Sequence, residues 1–318
     1  MARVTAVVVN WNAGGQLGRC VESLLARDEG DAPEVVVVDN ASVDGSVEAL
    51  GPMREQVKVV QTGRNLGFGR AVNREVASSV GPYVAVLNPD VVLKSDSLGK
   101  MVNFLERSPD SAIVGPRLLD SRRRVLATCG LRPNLAGEVC RKFLLHLVFP
   151  FLKFRRRFPR VASPVGWVTG ACFVARRSAL EAIGGMDEAI FMYYEDVDLC
   201  LRLKQREWGV YHLPDAEGVH LGGHSSKQSL ERMLVVSEAS YAYFAEKHYG
   251  LAAAHLLSAL RPFEMVLRTV LWGCVFVAVP GRRDEARTRL RAYRRILAEG
   301  VGGFLKPGDD PEGMERIA

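Results

Sequence analysis

The sequence predicts an α/β fold built on a central, mostly parallel sheet flanked by helices, and three observations carry that prediction. Residues 3–9 (RVTAVVV), 34–38 (EVVVV) and 83–87 (YVAVL) are short, β-branched and almost continuously apolar, as strands buried on both faces are. Helical patterns separate them, the first placing Leu17, Val21, Leu24 and Leu25 on one face. Polar residues and glycines follow each strand at its carboxyl end, where open α/β sheets bind ligands.

Taken in order, the first strand is broken by Asn12, Gly14 and Gly15, and the second runs into Asp39-Asn40-Ala41-Ser42. A third strand is expected at residues 57–61. Arg64-Asn65-Leu66-Gly67-Phe68-Gly69-Arg70 then turns into a helix carrying Ala71, Val72, Val76 and Ala77. Gly67 and Gly69 fit either a tight loop or a backbone that approaches a ligand, and Arg64 and Arg70 suit phosphate. The fourth strand stops at Asn88-Pro89-Asp90, because proline cannot continue a central ladder. Asn88 and Asp90 either close an Asx-turn or face a hard divalent cation that takes oxygen ligands. Residues 101–105 read as helix, 113–115 as a short edge strand, 211–213 as another, and 214–220 as a turn that leaves His220 on a polar loop.

The stretch from 166 to 202 is organised around Glu195-Asp196-Val197-Asp198, which opens an amphipathic helix with Leu199, Leu201 and Leu203. Acidic residues there serve as helix caps, or one of them serves as a general base. Residues 117–165 form a basic and apolar insert, with Arg122–124 and Arg155–157 bordering FLLHLVFPFL at 143–152. A helix is expected over 227–248, and the apolar run 269–279 (TVLWGCVFVAV) precedes an arginine-loaded helix. Both apolar runs fall short of the about 20 residues needed to span a bilayer. They suit an interface lying on anionic lipid, an acceptor groove or an ordinary packed face. The organisation expected is a catalytic domain over 1–225, a helical, membrane-associating region over 226–306 and a frayed tail over 307–318.

The chain has 318 residues, 48% of them hydrophobic, and a formal charge of +6. That mild basicity suits a phosphate-bearing substrate or an anionic membrane face and does not imply nucleic acid. Cys20, Cys129, Cys140, Cys172, Cys200 and Cys274 form no C-x-x-C pair, so neither zinc nor a disulfide framework is signalled and a reducing compartment fits. The apolar start is too short for a secretory signal. No G-x-G-x-x-G or G-x-x-x-x-G-K-[ST] follows the first strands, which takes away most of the support for the nicotinamide and P-loop readings.

Val9-Asn10-Trp11-Asn12, Val38-Asp39-Asn40-Ala41-Ser42, Asn65-Leu66-Gly67-Phe68-Gly69, Leu87-Asn88-Pro89-Asp90, Glu195-Asp196-Val197-Asp198-Leu199 and His220 occur in one order. In that order and spacing the chain resembles the family 2 glycosyltransferases of GT-A fold over residues 3 to 225. Within them it is most similar to bacterial rhamnosyltransferases that use dTDP-L-rhamnose in cell-wall and surface-polysaccharide assembly. The resemblance implies that Asp39 contacts the pyrimidine base, with Asn65 and its loop beside it and Asn10, Asn12, Asn40, Arg64, Gly67, Asn73 and Asn88 around the donor. It implies Asp90 and His220 as contacts of Mg²⁺ or Mn²⁺, Asp196 as the base of an inverting transfer, and Trp167, Gly170 and Glu195 on the acceptor side. Asn88 stands where many relatives of this fold carry an aspartate, leaving fewer protein charges for the metal. The implied partners are a dTDP- or UDP-sugar donor, a glycan or polyprenyl-linked acceptor and an anionic membrane surface, at the cytoplasmic face of the plasma membrane; a homo-oligomer stays open. A nucleotidyltransferase and a non-catalytic nucleotide-sugar-binding scaffold are the rival readings.

Overall fold

The computed structural model describes residues 3–26, 32–148, 159–222 and 230–299. The arginines at 155–157, part of the 143–152 run and the 307–318 tail lie outside these. The chain divides into two compact units: Met1–Arg132 with Arg155–Phe191 and Glu195–Ser225, and Pro133–Phe154 with Met192–Tyr194 and Ser226–Ala318. The insert expected at 117–165 is thus shared between them.

In the first unit β1 (Val4–Asn10), β2 (Glu34–Asp39), β3 (Lys58–Gln61) and β4 (Tyr83–Leu87) pair in parallel, in the order β3-β2-β1-β4. The period-two alternation of their valines serves two cores at once. Val4, Ala6, Val8, Val35 and Val37 face α1 (Gln16–Leu25), while Val7, Val9, Val36 and Val38 face α2 (Phe68–Val76). Beyond β4 the sheet becomes mixed. After β5 (Val91–Leu93) and α3 (Ser97–Arg107) come β6 (Ser111–Leu119), β7 (Cys129–Gly130), β8 (Ser163–Pro164), β9 (Trp167–Val168) and β10 (Cys172–Arg176). After α6 (Arg177–Ala182) and α7 (Glu195–Gln205) the last strand is β11 (Gly209–His220); α4 (Leu135–Lys142) and α5 (Leu145–Val148) belong to the second unit. The order continues β4-β10-β6-β11-β5, with β10 antiparallel to both β4 and β6 and with β6 parallel to β11.

Two expectations are corrected here. Residues 113–115 and 211–213 are not edge strands but segments of β6 and β11, paired with each other in the sheet interior. The polar stretch read as a turn at 214–220 is the end of β11, with a register shift between Leu213 and Glu217. A bulge absorbs Pro214, Asp215 and Ala216, so their turn-like composition hid a continuous strand. His220 accordingly sits on a strand, opposite Val91, rather than on a loop.

The second unit contains α4, α8 (Leu230–Tyr249), α9 (Leu251–Ala259), α10 (Arg261–Ala278) and α11 (Arg283–Glu299). Its apolar packing includes Val235, Met265, Tyr293 and Ile296 in one cluster and Tyr241, Ala245 and Leu257 in another. Between them lies a buried ion network in which Glu264 meets Arg141 at 3.0 Å and Lys142 at 2.7 Å. Tyr241 lies between the same two cations, 4.5 Å from the guanidinium and 4.7 Å from the ammonium. No helix among the described residues is long and apolar enough to cross a membrane.

Phe173 in the mid-sheet strand β10 is buried in the core that α2 and α7 share. Phe173→Ala is expected to lower the unfolding free energy by about 3–5 kcal/mol in urea denaturation.

Candidate active site

The carboxyl ends of β1 and β2 carry a buried polar cluster. Asn10 donates its amide to Asp39 Oδ1 at 2.8 Å, to Ser42 Oγ at 3.0 Å and to Ser46 Oγ at 2.9 Å. Asp39 also accepts from the Ser42 hydroxyl and from the Ser42 N–H at 3.3 Å. Asn12 and Ala41 complete the two turns with φ of 50° and 60°, a left-handed backbone that stores strain and gathers at functional sites. The Asn12 side chain accepts from the Val43 N–H, and Asn40 donates to the Gly67 carbonyl. Ser46 belongs to this cluster although nothing in the sequence set it apart.

Gly67 follows an Asx-turn in which its N–H donates to Asn65 Oδ1 at 3.0 Å. At φ 82°, a Cβ there would stand 2.5 Å from the Phe191 carbonyl, so the glycine is required by both backbone conformation and close approach. Arg64 is exposed beside this turn. Asn73, which the resemblance implies near the donor, donates its amide to the Met186 carbonyl at 2.9 Å and to Glu188 and accepts from the Met186 N–H at 2.8 Å, contacts that hold the Gly184-Gly185-Met186 turn.

At the tip of β4, Asn88 donates its N–H to the Ala171 carbonyl at 2.9 Å, and β5 begins just past Asp90. Because β5 pairs with the end of β11, Asp90 Oδ1 and His220 Nε2 meet at 3.1 Å, and the Leu221 N–H donates to the Asp90 carbonyl. Residues read separately as strand tip and loop are therefore one pair. Among the described residues no group of three or more His, Cys, Asp and Glu is placed to hold a metal. A carboxylate oxygen and an imidazole nitrogen converging on one point fit a divalent cation whose other positions go to a substrate's oxygens and water.

The segment before α7 carries φ of 68° at both Tyr193 and Tyr194. Asp196, in the first turn of that helix, accepts from the Gly170 N–H at Oδ2 and from the Val197 N–H at Oδ1, each at 2.8 Å. A capping side chain accepts instead from an N–H two or three positions onward, so the geometry here is that of a fixed, half-exposed carboxylate. Burial raises its pKa, against the two N–H donors. Glu195 is buried, and its carboxyl is pushed up to about 8 by burial, then by the Asp196 and Asp198 charges. Asp198, fully buried, pairs with Arg202 at 2.7 Å. The opposing tendencies in the first turn of this helix thus resolve in favour of burial. Trp167 on β9 packs, partly buried, against the same core as Leu199 and Leu203.

A buried polar cluster at the parallel strand ends, a His–Asp pair past the tip of β4 and an anchored carboxylate in the first turn of α7 make up the candidate site. The family model of glycosyl transferase family 2 matches residues 5–184, and the chain belongs to that family. The N-acetylglucosaminyl-diphospho-decaprenol L-rhamnosyltransferase of Mycobacterium tuberculosis is 32% identical over 271 residues, covering 80% of this chain and 88% of that protein. A rhamnosyltransferase of Escherichia coli is 26% identical over 180 residues, 51% of this chain and 63% of the other. Among solved structures, a mannosyltransferase from Pyrobaculum calidifontis in complex with GDP-Man and Mn²⁺ superposes with a TM-score of 0.57 at 18% identity, over 94% of this chain and 88% of that one. GalNAc-T7 with UDP, GalNAc and Mn²⁺ gives 0.54 at 15% identity, over 77% and 50%. The fold is GT-A, and the chain is a glycosyltransferase.

Glu195 supplies a pH signature. Its folded pKa near 8 lies above the ordinary value of 4.5, so between these the folded state holds a proton that the unfolded chain has released. Stability then falls as pH rises through that window. Glu195→Gln is expected to remove this slope, on the order of a few kcal/mol between the two ends, in urea unfolding measured below and above the window.

Proposed function

We propose that the enzyme transfers L-rhamnose from dTDP-L-rhamnose, with inversion, to a polyprenyl-linked glycan acceptor in cell-envelope synthesis, working peripherally at the inner face of the plasma membrane. The observation that carries this reading is the Asp196 carboxylate, held open by the Gly170 N–H beyond the Asp90–His220 pair. The name of the mycobacterial relative, a rhamnosyltransferase acting on a diphospho-decaprenol acceptor, supports the sugar and the acceptor class. A UDP-sugar donor is the second reading, favoured by the UDP named in one structural neighbour.

In the reaction the acceptor hydroxyl attacks the anomeric carbon and Asp196 takes its proton. The glycosidic C–O bond forms as the bond to the donor phosphate breaks, and the electron pair leaves with the dTDP. Two backbone N–H groups fix the Asp196 oxygens, while burial keeps the carboxylate basic enough to accept a proton. Asp39 and its hydroxyl partners form the floor for the base, and the Asn65–Gly67 turn is its wall. Asp90 and His220 would hold Mg²⁺ or Mn²⁺, which when bound stabilises charge on the leaving diphosphate.

Asp196→Asn is expected to lower turnover by about 10²–10⁴, with dTDP affinity in the presence of Mn²⁺ unchanged by calorimetry; a variant that turns over at the wild-type rate removes the base assignment. His220→Ala is expected to raise the Mn²⁺ concentration for half-maximal rate by roughly tenfold or more. Release of UDP from UDP-sugars in preference to dTDP from dTDP-rhamnose would select the second reading.

A further inference from the structure

Both apolar runs that the sequence set apart belong to the helical unit: 143–152 begins just past α4, and 269–279 runs along the second half of α10. Phe143, just past α4, stacks on Phe263 of α10 with ring centroids 5.1 Å apart. From Phe263 the outward face of α10 continues through Val266, Val270, Cys274 and Val277, all exposed, at the spacing of one helical stripe. Val277 is 73% exposed, Val270 61% and Val266 52%, an arrangement that water disfavours in so long a row. No charge interrupts the stripe. The charged residues of α10 point the other way: Arg261 and Glu264 are buried, and Arg268 pairs with Glu264 at 2.8 Å.

The stripe runs out to the tip of the hairpin that joins α10 to α11, where Val279 is also exposed. Behind that tip lies a basic collar. Residues 282–295 contain seven arginines against two acids. Arg282 and Arg289 lie 4.9 and 4.4 Å from the Trp272 ring, and Arg283 and Arg287 lie 5.8 and 5.3 Å from that of Phe276. Arg282, Arg287 and Arg289 also pair with Glu285 and Asp284, yet seven arginines against two acids leave a net positive surface at and behind the tip that suits headgroup phosphates while the apolar stripe enters the acyl boundary. An apolar partner protein would cover the stripe without needing the collar, whereas an anionic bilayer matches both.

We propose that the α10–α11 hairpin is a membrane-docking element, with Val270, Val277 and Val279 inserted into the interface of an anionic bilayer and Arg282, Arg283 and Arg287 at headgroup depth. The assignment rests on the proposed membrane-linked acceptor for its purpose only; its chemistry lies wholly within these two helices.

The test is co-sedimentation of the full chain with phosphatidylcholine vesicles, with and without phosphatidylglycerol. Binding is expected only to the anionic vesicles and is expected to weaken with added salt. Val270→Glu with Val277→Glu should lower the partition coefficient at least tenfold without lowering the melting temperature, since both side chains face water. Arg283→Gln with Arg287→Gln should lower it and flatten the salt dependence. Val277→Trp should show a blue-shifted emission on anionic vesicles. Wild-type partitioning by the double glutamate variant, or an unshifted Val277→Trp emission, overturns the assignment. So does a dimer that forms without lipid and dissociates in the glutamate variant while vesicle binding persists. Transfer to a short-chain, water-soluble acceptor is expected to survive both double variants. Its absence in the wild type would remove the functional reading and leave the vesicle result standing.

Discussion

The antiparallel entry of β10 beside β4 is the constraint on which the site depends. A parallel strand in that place would begin at the far edge of the sheet. Running backwards instead, β10 sets Cys172 against Leu87 and takes the Asn88 N–H on the Ala171 carbonyl. Gly170, one residue earlier, therefore stands over the tip of β4, with its N–H free to hold Asp196. Two strand ends and one helix start are fixed relative to each other through three consecutive backbone groups. That precision is what a base needs if it is to meet an acceptor oxygen on one side of a sugar whose phosphate is held on the other.

The first turn of α7 places three carboxylates within four residues, and each meets a different environment. Asp198 is fully buried and meets the Arg202 guanidinium. Glu195 has burial without a cation, and at neutral pH the proton is the cheaper partner. Asp196 keeps an exposed face and two N–H donors, so it alone combines basicity with access. The helix dipole favours all three alike and so cannot distinguish them. The left-handed Tyr193 and Tyr194 deliver the chain into this turn at about 1–3 kcal/mol of strain each, and Tyr194 is held by rings of its own unit, Tyr241 at 5.4 Å and Phe244 at 5.3 Å.

How far the sequence foretells this depends on whether a residue's role is local. Strands β1, β2 and β4 are readable because burial on both faces demands an unbroken apolar run, and part of the Asp39 turn is readable because Ser42 lies three residues away, while its other partner, Asn10, lies 29 away. β11 was concealed by the proline and acids of its bulge, which look the same in a turn. The contact that Asn73 makes was hidden for another reason: its partner Met186 is 113 residues distant, so no local pattern announces it. The pairing of Asp90 with His220 was expected only from the order of motifs in related chains; the register of β5 on β11 supplies its physical cause.

That register also bears on how a cation would be held. Asn88 is neutral, and the Asp90 carboxylate oxygen faces the His220 imidazole nitrogen at 3.1 Å. A donor diphosphate brings further negative charge and oxygen ligands to the same point. On the proposed reading, Asp90 and His220 would hold the cation together with the donor diphosphate, so metal and nucleotide-sugar would each favour binding of the other.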